Sequence, residues 1–514
     1  MNSTHPDYDA TLPAWLRARD VVAGEDAVKA AGEKYLPRLD SQSTDDYLGY
    51  KSRASFFNAA ARTAEGIVGL IFRRDPVVRV PANKDTLSTA LAKCLDDLDL
   101  LGTTLTAYAR NVIEEVVIVG RCGTLVDWQG EGEGRAYASL YRAEDIRNWR
   151  VERVNGRNVL TLLALVERVE SREQRAEGDE FATETVDQLR VLKLEARRAE
   201  SAEGRTDWQY VVELYQQQEV RSPGRRTKQE WTLVDRRVPL RLGKPLPLIP
   251  FVFHGPCHAL PDVDKLPLTD IIAVNLDHYR LSADYRHGLH FTALPTAWVS
   301  GFDKDAELRI GSSTAWVSET VGAAAGFLEF TGQGLTTFER AMDRDERLMA
   351  VLGTRMLAEQ KRVGESADAI ALRQSGENSV LGALATSISD SLTHVLRWCY
   401  WWHSTEDKPD LVSAEMVLVS LNTDFALQGM DAPSITALVS AWQSGLISHD
   451  TALDSLRKGE VIPDGRTNAE EKALAEKGFQ FLKGGLEAAR ENSPGEKEKA
   501  EGRGQKAETG KAEA

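Results

Sequence analysis

Cysteine is scarce in this chain. The 514 residues include four, Cys94, Cys122, Cys257 and Cys399, each far from the others. No Cys-x-x-Cys spacing points to a zinc or redox site, and no dense framework points to a disulfide scaffold, so a reducing compartment fits. Long apolar runs are missing as well. The longest, around GIVGLIF at 66–72, is far too short to span a bilayer. The opening MNSTHPDYDA has neither the basic nor the apolar region of a signal peptide, so a soluble protein assembled inside a cell is expected. Positive charge is in deficit: 63 Lys and Arg against 78 Asp and Glu leave a net charge of −15. A free-standing DNA-binding module gains affinity by neutralising phosphates, and this balance argues against one. The common catalytic signatures are absent too. There is no GxxxxGK[ST], and therefore no P-loop motor, and no HExxH or GxSxG.

What is present is a chain 42% hydrophobic, with core material for two to four domains and a period that changes along its length. Residues 10–110 read mostly as helix. Tyr50 to Pro76 reads as one amphipathic helix with Phe57, Ala61, Ala64, Ile67, Val68 and Ile71 on its stripe, stopped by Pro76. A further helix from about Leu101 runs into NVIEEVVIVGRCGTLVDW, where β-branched residues favour a strand. GEGEG at 130–134 reads as a hairpin turn, because it lacks the helix that a phosphate-cradling loop must open. From Asn158 to Val238 four alternating segments predict an antiparallel meander with one wet face. The proline-rich LGKPLPLIPFVFHGP is expected to run extended across the surface.

Helical period then returns. Leu268, Ile271, Ile272, Asn275 and Tyr279 share one face of a long helix. A short β-rich interval holds two similar strands, PTAWVSGF and STAWVSE, and then AGFLEF. A second long helix from Gly334 carries Leu335, Phe338, Met342, Met349, Leu352 and Met356 inward and charges outward. After a polar link, Val380, Leu384, Ile388, Leu392, Val395, Cys399 and Trp402 mark a third helix, with Gly376 and Asn378 predicted to kink it. Two short helices joined at GLIS follow. Beyond Ala488 the chain is Lys, Glu, Gly and Ala, and a disordered tail is expected.

Chemistry-bearing residues are few. His254, Cys257 and His258 in HGPCH hint at a metal, but a zinc site needs further ligands and short Cys/His coincidences are common. His278, His287 and His290 read as interface or surface residues, and the tryptophans of WCYWWH as core or subunit contacts. Asp96, Asp97 and Asp99 are the one dense carboxylate cluster that a nuclease or nucleotidyl enzyme could use. Helical spacing would spread them around a solvated surface. No nucleophile, base and orienting group can be assembled, so the chain is read as no enzyme, with no cofactor and no metal.

The order of parts, with the blocks YLPRL, YLGYKSRASFFNAAARTAEGIVGLIFRRDP, YRAEDIRNW, NLDHYRLSADYRHGLHFTALPTAWVSG, GAAAGFLEFTGQGL and ESADAIAL, resembles the portal proteins of tailed bacteriophages, of a branch first catalogued as a phage domain of unknown function. The resemblance covers about residues 30–480 and is weakest in the 165–235 meander and the tail. It implies an α+β chain with an N-terminal arm at 1–29, a wing of helices and meander at 30–262, a first stem helix at 263–291 and a β clip at 292–333. A second stem helix at 334–357, a tunnel loop at 358–366, a wing helix at 367–425, a helical crown at 426–487 and a tail at 488–514 would complete it. It also implies a homo-oligomeric ring, usually of twelve subunits, at one vertex of a virion assembled in the host bacterial cytoplasm. The partners would be major capsid or scaffold protein, the terminase large subunit, head–tail adaptor or tail proteins, and double-stranded DNA passing without sequence specificity; no membrane is involved. On that mapping Lys361 and Arg362 are candidate DNA-channel contacts, and Trp298 and Trp316 candidate clip contacts. An acidic subunit suits a channel that must pass DNA without gripping it. The rival reading is a non-portal capsid or head-completion protein, which would need no long helix pair around a β insert.

Overall fold

The computed structural model describes residues 3–80, 86–130, 134–154, 156–170, 185–197, 207–220, 228–293, 296–302, 316–328, 334–357, 367–406, 417–423, 425, 430, 432–459, 461–462 and 466–477. Helix and strand are both abundant, and the fold class is α+β. The chain divides into two compact units, 1–425 and 426–514.

The first unit opens with α1 (Pro6–Ala23) and α2 (Glu25–Ala30), separated by Gly24 at φ +105°. Trp15, Ala18 and Val21 of α1 are fully buried, so this segment is part of the core. The single helix predicted over Tyr50–Pro76 is in fact two, α3 (Thr44–Arg53) and α4 (Ala59–Ile71). Between them the backbone turns extended at Ala54, and Ser55 bonds through N and Oγ to the Ser282 hydroxyl, 3.1 and 2.9 Å away. Asn58 then caps α4 by accepting from the Ala61 amide at 3.1 Å. Tertiary partners break the helix. Phe57, assigned to the apolar stripe, lies in that break and is 38% exposed.

After the short β1 (Val77–Arg79) come α5 (Thr86–Asp96) and α6 (Leu105–Val119). The β-branched run expected to be a strand belongs to α6 up to Val119. Val112, Ile113, Val116 and Val117 are all buried, so the helical period of burial outweighs their β propensity. Gly120, left-handed at φ +76°, ends the helix, and the chain enters β2 (Cys122–Gln129) and β3 (Arg135–Arg142), joined across the predicted hairpin turn.

The meander has five strands, in sequential antiparallel order: β4 (Ile146–Val154), β5 (Arg157–Glu170), β6 (Thr185–Arg197), β7 (Asp207–Val220) and β8 (Lys228–Arg237). A two-residue pair, β9 (Leu240–Arg241) and β10 (Lys244–Pro245), leads to β11 (Phe251–His254). The proline-rich stretch is extended, as expected, but β11 is buried throughout and pairs with β2, in the order β11-β2-β3. Two apolar faces claim it.

Next come α7 (Thr269–Ala293), β12 (Thr296–Ser300), β13 (Ala324–Leu328), α8 (Leu335–Leu357) and α9 (Ala367–His403). The helix of α9 runs unbroken past Gly376 and Asn378. Its buried stripe begins at Leu381 and Leu384 rather than at Val380, which is 60% exposed. Trp401 and Trp402 close the stripe in the core beside Trp128 and Trp398. Strand β14 (Leu418–Ser420) pairs with β1.

In the second unit, α10 (Ala432–Gln443) and α11 (His449–Lys458) are the two expected short helices. Ser448 caps α11, and Trp442 stacks on His449 with centroids 4.7 Å apart. The segment 488–514, expected to be a tail, lies outside the described residues.

Candidate functional site: a helix pair carrying a β hairpin

α7 and α8 pack antiparallel and carry the β12–β13 hairpin between them. Their fastening to the rest of the unit is polar at its centre. Asn275, fully buried on the apolar face of α7, accepts from the Ala59 and Ala60 amides, each at 3.2 Å, and donates to the Phe57 carbonyl at 2.7 Å. With Asn58 on the Ala61 amide, each of the first three amides of α4 has a side-chain acceptor, and Ala59 also donates to the Phe57 carbonyl at 2.9 Å. Further along α7, Asp284 accepts from the Tyr50 hydroxyl at 2.5 Å, and burial raises that phenol's pKa well above its ordinary value. Arg53 of α3 donates to His287 at 2.9 Å; burial, then that guanidinium, holds the imidazole below its usual 6.5. α8 approaches closely where Gly353 meets Thr63, and an added Cβ there would lie 3.0 Å from the Thr63 hydroxyl.

Toward the hairpin the apolar residues are exposed. Phe291 at the end of α7 is 51% exposed, Trp298 on β12 46% and Phe327 on β13 52%. Trp298 stands where predicted, on a strand, with its indole over Gly326 of the partner strand. Trp316 does not. The two similar sequences were expected to form strands, but Trp316–Glu319 has no strand conformation, and β12 pairs instead with AAGFL at 324–328. Trp316 is half-buried, with its ring 6.4 Å from Phe327. Lys361 and Arg362 lie outside the described residues.

The remaining candidates resolve into structure. His254 is fully buried and bridges two elements: Thr124 Oγ1 of β2 lies 2.7 Å from Nε2, and Ser391 Oγ of α9 lies 2.7 Å from Nδ1. Cys257 is exposed, and His258 sits 3.5 Å from Asp264, so HGPCH does not converge. No group of three potential ligands is close enough to hold a metal among the described residues. His278 is buried, 3.4 Å from Glu346 of α8, rather than on the surface. Asp97 and Asp99 lie past the end of α5, not on a helical face. Asp97 pairs with Arg135 and caps the Gly102 amide at 2.9 Å, while Asp99 caps Leu101 at 2.9 Å. They organise a loop. Sequence reasoning placed Asn275 on the buried face and could not name its partners, which lie over 200 residues away.

Residues 267–403, which run from α7 through α9, match a protein family described as "Domain of unknown function (DUF4055)". No curated protein matches. Among solved structures, the chain is similar to one in the neck of a native GTA particle computed with C12 symmetry, at 10% identity and TM-score 0.35, covering 78% of this chain and 89% of that one. It is similar to one in the neck of an empty GTA particle computed with C6 symmetry, at 12% identity and TM-score 0.35, covering 78% and 90%. A third similarity is to a chain of the virion of a native gene transfer agent particle, at 13% identity and TM-score 0.34, covering 85% and 98%.

Proposed function

We propose that this chain is a portal subunit of a tailed bacteriophage: one copy of a ring, of about twelve subunits, at a single capsid vertex. The observation that carries the reading is the β12–β13 hairpin held between two packed helices, with Phe291, Trp298 and Phe327 exposed on and beside it. A helix pair of this length that ends in an apolar tip suits a tubular stem with a docking rim. The sequence blocks that resemble portal proteins support it, as does the acidic balance of the chain. The ring would be the channel for genome packaging and ejection, and would dock the terminase large subunit and later a head–tail adaptor. Negative-stain imaging of the purified protein tests this. Rings with a central hole are expected, and a stable monomer at micromolar concentration and moderate salt would sink the reading.

Trp298 is the anchor of the docking rim. Replacing it by alanine should leave rings intact and lower DNA packaging at least about tenfold, the effect of losing one aromatic hot spot. Loss of the rings themselves would move Trp298 into the subunit interface. Trp316, packed near Phe327, should have the smaller effect. Lys361 and Arg362 are proposed to face DNA as a basic girdle whose phosphate contacts are indifferent to sequence. Glutamine at both should leave rings intact and reduce DNA retention, and unchanged retention would remove the girdle from the mechanism.

A further inference from the structure

α8 carries its exposed charges in an order that is unfavourable within one subunit. Glu339 and Asp343 form an acidic row at four-residue spacing; Arg340 and Arg344 form a basic row beside it, extended by Arg347, and all are exposed. Like charges four apart on a helix repel. Among the described residues one ion pair crosses the rows, Arg347 with Asp343, at the 4.0 Å limit, and the Arg347 side chain is 82% exposed. α7 carries the complementary row. Asp277 and Asp284 are seven residues apart, as Arg340 and Arg347 are on α8, which is two helical turns in each case.

The register between the helices puts these rows at the same heights. Tyr285 bonds Glu339, His278 approaches Glu346, and Ile271 lies against Gly353, so each step of seven on α7 matches a step of seven on α8. The same register sets Asp284 level with Arg340 and Asp277 level with Arg347. Within one subunit the arginines find no aspartate of α7 among the described residues. With the helix pair set along the ring axis, as a stem would be, copies related by rotation keep each row at one height, and a row on one copy meets what its neighbour holds at that level.

We propose that Arg347 of one copy pairs with Asp277 of the next, with Arg340 and Asp284 one step above, as the charge lock of a head-to-tail interface. This rests on the ring reading above and assigns its subunit contact. Asp277 keeps its 2.7 Å contact to Arg280 and Asp284 its 2.5 Å bond from Tyr50 through Oδ1, and each carboxylate has oxygen lone pairs left for a further guanidinium. Matched level and spacing fix the register between copies as well as adding attraction.

The test uses two full-length variants, Arg347→Asp and Asp277→Arg, with particle mass and negative-stain imaging as readouts and circular dichroism as a check on folding. Each alone should lower the ring fraction at micromolar concentration by about tenfold or more, because each places like charges across every interface. Mixed in equal amounts, the two should reassemble. An alternating ring sets the introduced aspartate against the introduced arginine at one interface, and the native Arg347 against the native Asp277 at the next. Recovery in the mixture means the contact lies between copies. Recovery only when both changes sit in one chain would place the pair within a subunit and overturn the proposal. Single variants that form rings as well as the wild type would overturn it too, while the ring reading stands. A wild type that forms no rings sinks the ring reading itself.

Discussion

Alanine at position 275 should destabilise the first unit by about 2–4 kcal/mol, measured by chemical denaturation. One buried side chain makes three hydrogen bonds there, two of them to the first amides of α4. Removing it strands the buried Ala60 amide and leaves Ala59 and Phe57 only their bond to each other at 2.9 Å, and unmade buried bonds cost more than made ones contribute. Leucine should do no better than alanine, because bulk without an acceptor leaves the Ala60 amide unpaired. Aspartate should recover part of the loss by accepting from both amides, although it cannot donate to Phe57. If alanine costs less than about 1 kcal/mol, the α4–α7 fastening is not held by this amide. Loosening it should also impair ring assembly, since α7 carries Asp277 into the proposed interface.

The second large effect is on the pH dependence of stability. The hydrogen bonds around His254 form one directed chain. Ser391 donates to the Ile388 carbonyl and so accepts from His254 Nδ1–H; Nε2 is then left to accept from the Thr124 hydroxyl, which in turn accepts from Tyr108. This order assigns the neutral tautomer with the proton on Nδ1. Protonating Nε2 would turn its acceptor into a donor facing the Thr124 hydroxyl and place a charge in a fully buried site. Burial accordingly lowers the pKa of His254 to about 3. The folded value lies below the ordinary 6.5, so the unfolded chain takes up this proton first. Stability is therefore complete above pH 6.5 and falls as pH drops toward 3, with a ceiling on the order of 5 kcal/mol from this group. His254→Gln should be less stable than wild type at pH 7.5 by about 2 kcal/mol, through a less complete network. The difference between the two should shrink as pH falls below 6.5, vanish near about pH 5 and reverse by about pH 4.5. A constant difference across that range would show that His254 is not held neutral.

Much of this was legible from spacing alone. The stripes at 268–279 and 381–402, the meander, and the helix pair around a β insert follow from period and from turn residues, because burying a continuous apolar face is a local demand on sequence. The misses share a cause. The break at Ala54–Asn58, the helix over Asn111–Val119 and the burial of β11 were each decided by a partner distant in sequence: Ser282 and Asn275, the core around Val112 and Val116, and β2. The strand expected at STAWVSE is missing over Trp316–Glu319, while the β-rich AGFLEF supplies the strand that pairs with β12.

The sequence by itself determined composition, charge, the order of elements and the absence of familiar catalytic motifs. It also held Asp277, Asp284, Arg340 and Arg347 at seven-residue spacing, where each row reads as an ordinary solvated face. Only the tertiary structure decided that the two rows stand level. Helical period fixes which side of its own helix a residue occupies, but the height of one helix against another is set by close contacts such as Gly353 with Ile271 and Tyr285 with Glu339. The same holds for His254. Its burial was open in the sequence until β2, β11 and α9 closed around it, and the resulting loss of water is what keeps it neutral.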